Sequence, residues 1–311
     1  MPKRPRIAVV GSANVDLTTF TQQFPKPGET IFGQKFDLGF GGKGANQAAA
    51  ARLCDAEVFM VARVGDDLFG AATIKNFEKL GIDAKHVKQV DGVSSGVAPI
   101  FVDPSGQNRI IVVKGANDKL MPDDVDAASD VLKSADCIVL QFEIPLETVY
   151  YTIQFAHKNG VRCLLNPAPA QPVDLKAVAN LDYFVPNESE AENISGLPVR
   201  TVDDAKKCAE KLLAGGVRRV IITLGANGAL LAGKEGMDHV PAFNVQTVDS
   251  TGAGDAFIGS FATFLAEGLT ERDAVQKANF YAGLSTTGVG TQKSFYDRSR
   301  FENEWASIMR S

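Results

Sequence analysis

The feature that most restricts the fold of this chain is a regular alternation in its second half. Short, largely apolar runs at 137–140, 161–165, 183–185 and 220–223 are separated by helix-like segments at 123–133, 146–158 and 201–214. Strands that are apolar on both faces must be covered on both faces, and strands alternating with helices give a parallel sheet between helical layers. The first half starts the same way, with apolar runs at 7–10 and 58–64, an Ala-rich helix at 44–53 and a helix at 68–80. It is interrupted by strand-like pieces at 18–20 and 30–32 around PKPG (25–28), and at 96–102 and 109–113 around PSG (104–106). These insertions, at about 16–39 and 91–113, predict a small β-sheet projecting from the main one. The stretch 254–310 reads as mostly helical. The expectation is one α/β domain over 1–311, a central, mostly parallel sheet sandwiched by helices.

Composition narrows the function classes. The chain has 32 Lys and Arg against 37 Asp and Glu, a formal charge of −5. That balance argues against a nucleic-acid backbone as partner. Hydrophobic residues make up 45% and charged residues 22%, as in ordinary globular proteins. No run approaches the ~18 apolar residues of a membrane span, and the apolar run after the basic MPKRPR start is too short for a signal peptide. A soluble, cytoplasmic protein is expected, with no membrane partner. Cys54, Cys137, Cys163 and Cys208 form no CxxC pair, and the three histidines form no HExxH. Free thiols in a reduced core are expected, and no transition-metal centre.

Glycine is in excess, 29 of 311 residues against an average of about 7%. Two clusters carry the information. GFGGKGAN (39–46) contains a literal GxGxxG at Gly39, Gly41 and Gly44, but a dinucleotide fingerprint needs a strand directly before it inside a βαβ unit. Here the first strand lies some thirty residues upstream, and GxxxxGK is not matched either. Lys43 and Asn46, three apart, can point the same way and offer a donor-plus-acceptor set for a polyhydroxy ligand. The second cluster, DSTGAGD (249–255), reads as a helix start. Gly252, Ala253 and Gly254 let backbone N–H groups approach an anion closely. Asp255 beside them is either an N-cap or a base next to an anion hole, the pair that phosphoryl transfer to a hydroxyl needs.

With these motifs in place the chain resembles the PfkB-type carbohydrate kinase family, in its ribokinase and deoxyribokinase branch. The resemblance runs over nearly the whole chain: GSANVD (11–16), FPKPGET (24–30), GGKGANQ (41–47), VGDD (64–67), LNPAPA (165–170), PNESE (186–190), TLG (223–225) and the segment 249–255. It implies a ribokinase-like fold in which the projecting sheet is a lid over a sugar site, and a homodimer formed through that lid. It implies Asp255 as general base and Gly252, Ala253 and Gly254 as anion hole. It implies sugar contacts from Asn14, Asp16, Gly42, Lys43, Asn46 and Glu143. Asn187 and Glu190 would help organise Mg2+ and the phosphates of ATP, although Asn187 is equally a natural helix start. Thr223, Gly225, Gly228 and Gly254 would face the nucleotide, with Asn279 near the adenine. A monovalent cation, K+, would be held by Asp249 with carbonyls near Thr251, Ser285, Gly288 and Gly290, and by Ser294. Here the chain departs from the family, which often has a proline between the glutamine and serine of QKSFY (292–296).

The implied reaction is ATP-dependent phosphorylation of the 5-hydroxyl of D-ribose. Asn14 favours ribose, because a buried amide that pairs with a 2-hydroxyl is left unpaired by a 2-deoxy sugar. An enzyme dedicated to 2-deoxyribose is expected to carry an apolar residue there. SSGVAPIF (94–101) and the stretch 141–151 resemble deoxyribokinases at least as well, so 2-deoxy-D-ribose is the alternative. A non-catalytic sugar-binding protein and an NAD-dependent oxidoreductase are the readings from other classes.

Overall fold

Each residue of β1 (Arg6–Val10) after the first is buried, and the chain alternates sides: Ile7 and Val9 join one core, Ala8 and Val10 the other. A strand apolar on both faces sits in the middle of a covered sheet. The computed structural model describes residues 4–310 and places β1 within a nine-stranded sheet. The expected domain limits include residues 1–3 and 311, which lie outside the described residues. After β1 come β2 (Asn14–Phe20), β3 (Lys35–Gly41), α1 (Lys43–Leu53), β4 (Glu57–Gly65) and α2 (Leu68–Leu80). Then follow β5 (Asp83–Val90), β6 (Gly96–Val102), β7 (Asn108–Ile110), α3 (Pro122–Ala127), α4 (Ser129–Lys133) and β8 (Cys137–Leu140). The chain continues through α5 (Leu146–Lys158), β9 (Arg162–Leu165), β10 (Tyr183–Phe184), α6 (Glu188–Ser195), α7 (Val202–Ala214) and β11 (Arg219–Thr223). It ends with β12 (Ala229–Gly233), β13 (Gly236–Val240), α8 (Ala253–Ala266), α9 (Glu271–Ser285) and α10 (Arg298–Ile308).

The large sheet runs β13-β12-β11-β10-β9-β8-β1-β4-β5; it is parallel from β11 to β5, with an antiparallel edge made by β12 and β13. Helices α1, α8, α9 and α10 cover one face and α3, α4, α5 and α7 the other. The order reverses at β1: the chain moves outward to β4 and β5, then returns to lay β8 against the other side of β1. Crevices at the carboxyl ends of strands flanking such a reversal are where open α/β sheets bind ligands. The four cysteines are free and buried. Among the described residues no helix is long and apolar enough to cross a membrane.

A second sheet, β3-β2-β6-β7, stands apart. Its strands differ from expectation in two respects. The expected strand at 109–113 is Asn108–Ile110, with Val113 only in an isolated bridge to Val97. The run 30–32 is not a strand, and Phe32 is 99% exposed; the partner of β2 is β3, paired from Asn14↔Gly41 to Phe20↔Lys35. Gly39 and Gly41 therefore lie in a strand, not in a phosphate loop. That geometry overturns the dinucleotide reading, since no strand of the main sheet feeds this turn. The expected helix at 123–133 is two short ones, broken at Ala128, where the backbone turns to φ −98° and ψ 7°. β5, β12 and β13 were not legible in the sequence: β5 is a polar edge strand and the other two form a hairpin through Gly233 and Gly236.

One packing detail positions the site. α8 is buried from Asp255 to Leu265 and packs against α1, whose facing residues include Ala50 and Ala51. A Cβ at Gly259 would sit 2.3 Å from the Gln47 carbonyl oxygen and 2.7 Å from Ala50 Cβ. Small residues on both helices bring the backbones close enough for the first turn of α1 to reach the first turn of α8.

Candidate active site

The segments leaving β1 and β8 meet at the reversal. Ser12 Oγ donates to Glu143 Oε2 at 2.6 Å, and the backbone N–H of Lys43 donates to the same oxygen at 3.0 Å. The amino end of α1 thus holds the Glu143 carboxylate, with Gly42 at the cap in a φ of 88°. A side chain at Gly42 would strike the Asn14 nitrogen, at 2.7 Å. Asn14 is 4% exposed, and its Oδ1 accepts from Asn117 Nδ2 at 2.7 Å. Asn117 also accepts the Ala13 N–H at 2.9 Å. Asn14 is thereby left to present its own N–H donors.

Asp16 pairs with Gly39 of β3, and its carboxylate reaches over Gly41, where a Cβ would be 2.4 Å from Oδ2. Glycine at 41 is what gives that carboxylate its place. Burial, then the nearby charges of Glu143 and Asp255, push the Asp16 carboxyl up to about 6. Lys43 answers this concentration of acids: burial pushes its ammonium down, but Asp255, Glu143 and Glu190 outweigh it and hold its pKa above the usual value.

Asp255, 7% exposed, opens α8. It is not the cap: Gly252 holds the cap position in the left-handed region, φ 79°, with no side-chain bond. Asp255 Oδ2 accepts from Asn46 Nδ2 at 3.0 Å and Oδ1 from Gln47 Nε2 at 2.9 Å. Burial raises its pKa, while Lys43 and the two amides pull it down and Glu143 pushes it up again. Of the three expected anion-hole donors, Ala253 differs from expectation. Its N–H donates to the Ser250 carbonyl at 3.2 Å, so it would have to give up that turn bond to meet an anion. No such bond engages Gly252 or Gly254 among the described residues.

Two cavities meet here. The smaller, about 160 Å³, is lined by Lys43, Asn166, Glu190, Gly252 and Asp255. The larger, about 880 Å³, is lined by Gly225, Gly228, Ala253, Phe257 and Asn279. Asn187, Thr223 and Gly254 line both, which puts them at the junction. Asn187 and Glu190 form a capping box at α6: Asn187 Oδ1 accepts the Glu190 N–H at 2.8 Å and Glu190 Oε2 accepts the Asn187 N–H at 2.9 Å. Burial raises the Glu190 pKa. Asn279 Nδ2 is committed to the Val240 carbonyl at 3.0 Å, so this residue ties α9 to the end of β13 as well as lining the larger cavity.

The expected cation residues converge in part. Asp249 Oδ1 accepts the Thr251 N–H at 2.9 Å and Oδ2 the Gly290 N–H at 2.9 Å. Burial raises its pKa, but these donors and the Thr251 hydroxyl outweigh it and lower it, so the carboxylate stays charged. Gly290 takes a φ of 88°, and Gly288 lies against Ser294. Ser285 Oγ donates to the Ala282 carbonyl and Ser294 Oγ to the Thr291 carbonyl. Among the described residues no N–H donor engages the carbonyls of Thr251, Ser285, Gly288 or Gly290. One firm carboxylate and several free carbonyls suit a large monovalent cation. For a divalent ion, the described residues offer no group of three or more His, Cys, Asp or Glu. Such an ion fits this site only if it brings phosphate oxygens and water with it.

Several residues at this centre have no role in the sequence reading. Gln47 directly follows Asn46 and bonds Asp255 as Asn46 does. Ser12, Gln141, Asn166 and Gln292 fall inside stretches already set beside the family (11–16, 141–151, 165–170 and 292–296), but as single residues they received no role; Asn117 lies outside every such stretch.

A small polar cleft that holds a buried aspartate, joined at a helix amino end to a large cavity, has the layout of a small-molecule phosphotransferase. The sequence matches the pfkB family carbohydrate kinases over residues 4–298, and the chain belongs to that family. It is 47% identical over 303 residues to the deoxyribokinase of Salmonella typhi, covering 97% of this chain and 99% of that one. It is 37% identical to the ribokinase of Haemophilus influenzae, covering 95% and 96% of the two chains. Among solved structures, the ribokinase of Thermotoga maritima superposes with a TM-score of 0.87 at 39% identity, over 96% of this chain and 98% of that one. Arabidopsis thaliana ribokinase complexed with ribose and ATP superposes with a TM-score of 0.92 at 30% identity, over 97% and 98%. The expected fold, a mostly parallel sheet sandwiched by helices with a separate small sheet, is the observed one.

Proposed function

We propose that this carbohydrate kinase transfers the γ-phosphoryl group of ATP to the 5-hydroxyl of D-ribose. The observation that carries the choice of sugar is the Asn117–Asn14 pair. Asn117 takes up the Asn14 carbonyl, so the sugar would meet a buried N–H donor that needs an acceptor. A 2-hydroxyl supplies one; a 2-methylene leaves the amide unpaired.

In this reading Asp16, Glu143, Lys43 and Asn46 orient the ring, with Gly42 giving the backbone its close approach. Asp255 takes the proton of the attacking hydroxyl as its oxygen bonds to the γ-phosphorus, and the bond to the ADP oxygen breaks. The N–H groups of Gly252 and Gly254, joined by Ala253 if its turn opens, would receive the charge on the transferring group. ATP would occupy the larger cavity, past Thr223, Gly225, Gly228 and Asn279, with Asn187 and Glu190 at its phosphates. Mg2+ bound to the phosphates would neutralise their charge. K+ at Asp249, with carbonyls of Thr251, Ser285, Gly288 and Gly290 and with Ser294, would hold the loop beside the anion hole.

The whole chain would act as one cytoplasmic kinase unit, its small sheet a lid. That sheet exposes Phe36, Leu38 and Ile110, with Ile111 and Val112 just beyond, an apolar face that a second copy of this chain would cover. Sedimentation should then report a homodimer.

The identity to a deoxyribokinase favours a second reading, 2-deoxy-D-ribose. Comparing kcat/KM for the two sugars decides between them; a clear preference for the deoxy sugar overturns ribose. Asn14→Leu should erode the preference for ribose by about tenfold or more.

A further inference from the structure

Asp255 is held at both oxygens by amides, and each of those amides is itself held by another. On one side Asn76 Nδ2 donates to Gln292 Oε1 at 3.1 Å, Gln292 Nε2 to Asn46 Oδ1 at 3.1 Å, and Asn46 Nδ2 to Asp255 Oδ2 at 3.0 Å. On the other, Gln141 Nε2 donates to Gln47 Oε1 at 2.7 Å and Gln47 Nε2 to Asp255 Oδ1 at 2.9 Å. Both chains have the same polarity: every intermediate amide accepts through its carbonyl and donates onward. An amide turned over would place its carbonyl against an acceptor at one end and its NH2 against a donor at the other.

The orientation is over-determined. Asn166 donates to the Val185 carbonyl at 3.0 Å, so its Oδ1 is available to accept Gln47 Nε2 at 3.2 Å, which fixes the same end of Gln47 again. Gln141 keeps its place although its Oε1 has no partner among the described residues. A Cβ at Gly11 would fall 2.0 Å from that oxygen, so glycine at 11 makes room for the amide. A buried amide with an unpaired carbonyl, admitted only by a glycine, is an expensive way to fill space and an effective way to aim one donor.

We propose that Gln292 and Gln141 are positioning residues for the phosphoryl-transfer step, acting through Asn46 and Gln47 to keep N–H donors, and not carbonyls, on both oxygens of Asp255. The proposal rests on Asp255 being the base. The charged groups facing Asp255 from the packed elements are Asp16 on β2, Lys43 on α1, Glu143 after β8 and Glu190 on α6. Three of these four are acids, which favour the protonated form. The amides favour the carboxylate that must accept the sugar proton. Gln292 also stands in the loop that carries Gly288, Gly290 and Ser294, so the relay ties that loop to the base.

The test is the pH dependence of kcat for Gln292→Met, which removes the amide and keeps its bulk at a half-buried site. The acid limb of kcat should move up by about half to one pH unit, with kcat at a pH on that limb about three- to tenfold lower, the plateau little changed and KM for ATP within about twofold. Asn76→Ala, on the outer face of the relay, should move the limb the same way by less, and covers the case in which Gln292→Met folds poorly. Lys293→Ala perturbs the same loop without touching the relay and should leave the limb in place. An unmoved limb in both relay variants, or an equal shift in Lys293→Ala, overturns the relay. Asp255→Asn separates this from the underlying reading: if that variant keeps near-normal turnover, the base assignment itself is wrong.

Discussion

The polar cluster around Asp255 and the larger cavity beside it are built by different means. The cluster is made of charged and amide side chains, each fixed by another: Glu143 by Ser12 and the Lys43 N–H, Asn14 by Asn117, Asp255 by Asn46 and Gln47. The larger cavity is walled mainly by small and apolar residues such as Gly225, Gly228, Ala253, Phe243 and Phe257, with Glu188, Glu192 and Arg200 at its α6 side, and Asn279, one of its three asparagines, is engaged with the backbone. The difference follows from what each would hold. A sugar is distinguished by the directions of its hydroxyls, which calls for oriented side-chain donors and acceptors. A nucleotide offers phosphates and a flat base, which backbone N–H groups and apolar walls can serve. Side-chain loss should therefore be severe on the first side and mild on the second.

The severest test of that contrast is Asp255→Asn. It should lower kcat by about three orders of magnitude while calorimetry still detects both ligands; turnover within tenfold of the parent removes the chemical centre from the small cleft. Next is Gly41→Ala. The added methyl displaces the Asp16 carboxylate and should raise sugar KM by about tenfold or more, with thermal stability and ATP KM little changed. An equal rise in both KM values would show that the two sides are not separable.

A pH experiment is subtler. Asp16 sits at about 6 in the fold, above its usual 3.8, and hydroxyl recognition needs its carboxylate. Sugar KM should therefore fall as pH rises through about 6. The linkage has the opposite sign for stability: the contribution of the neutral form is complete below about 3.8 and lost as pH rises through about 6. Asp16→Asn should flatten both trends, and a sugar KM in the parent that is independent of pH from 5 to 7 excludes Asp16 as an acceptor. The smallest effect belongs to the nucleotide side. Asn279→Ala should change ATP KM by no more than about threefold and cost about 1 kcal/mol of stability through the lost bond to Val240. A tenfold or larger loss of ATP affinity would put specific side-chain recognition there as well.

Much of the fold was readable because strands buried on both faces have to be apolar at every position. The runs at 7–10, 58–64 and 137–140 announced themselves in this way. β5 did not, since as an edge strand in DAKHVKQV it buries few of its side chains. The run at 30–32 misled for the converse reason: a β-like triplet becomes a strand only when register supplies a partner, and β2 is paired along its length by 35–41. At the centre, the first glycine cluster stood out because close approach at Gly41, Gly42 and Gly44 leaves glycine as the residue that fits, and the second because Gly252 takes a positive φ at the start of α8. That the Ala253 N–H is engaged by the Ser250 carbonyl was not legible, because whether a turn closes on its own carbonyl depends on geometry that three small residues do not encode.

By itself, the sequence determined the layers of this protein, the family motifs and the residues that can carry charge to a sugar and a phosphate. Those are properties of residue type and local spacing. Only the tertiary structure decided which amide faces which oxygen. Gln47, Gln141, Asn117, Asn166 and Gln292 lie on segments far apart in the chain, and an amide has no chemical preference for either of its ends. Its direction is set by the partners that folding brings to it. The excess of glycine belongs to both accounts: the count is in the sequence, but that Gly41 admits Asp16, Gly11 admits Gln141 and Gly259 draws α8 onto α1 are facts of packing.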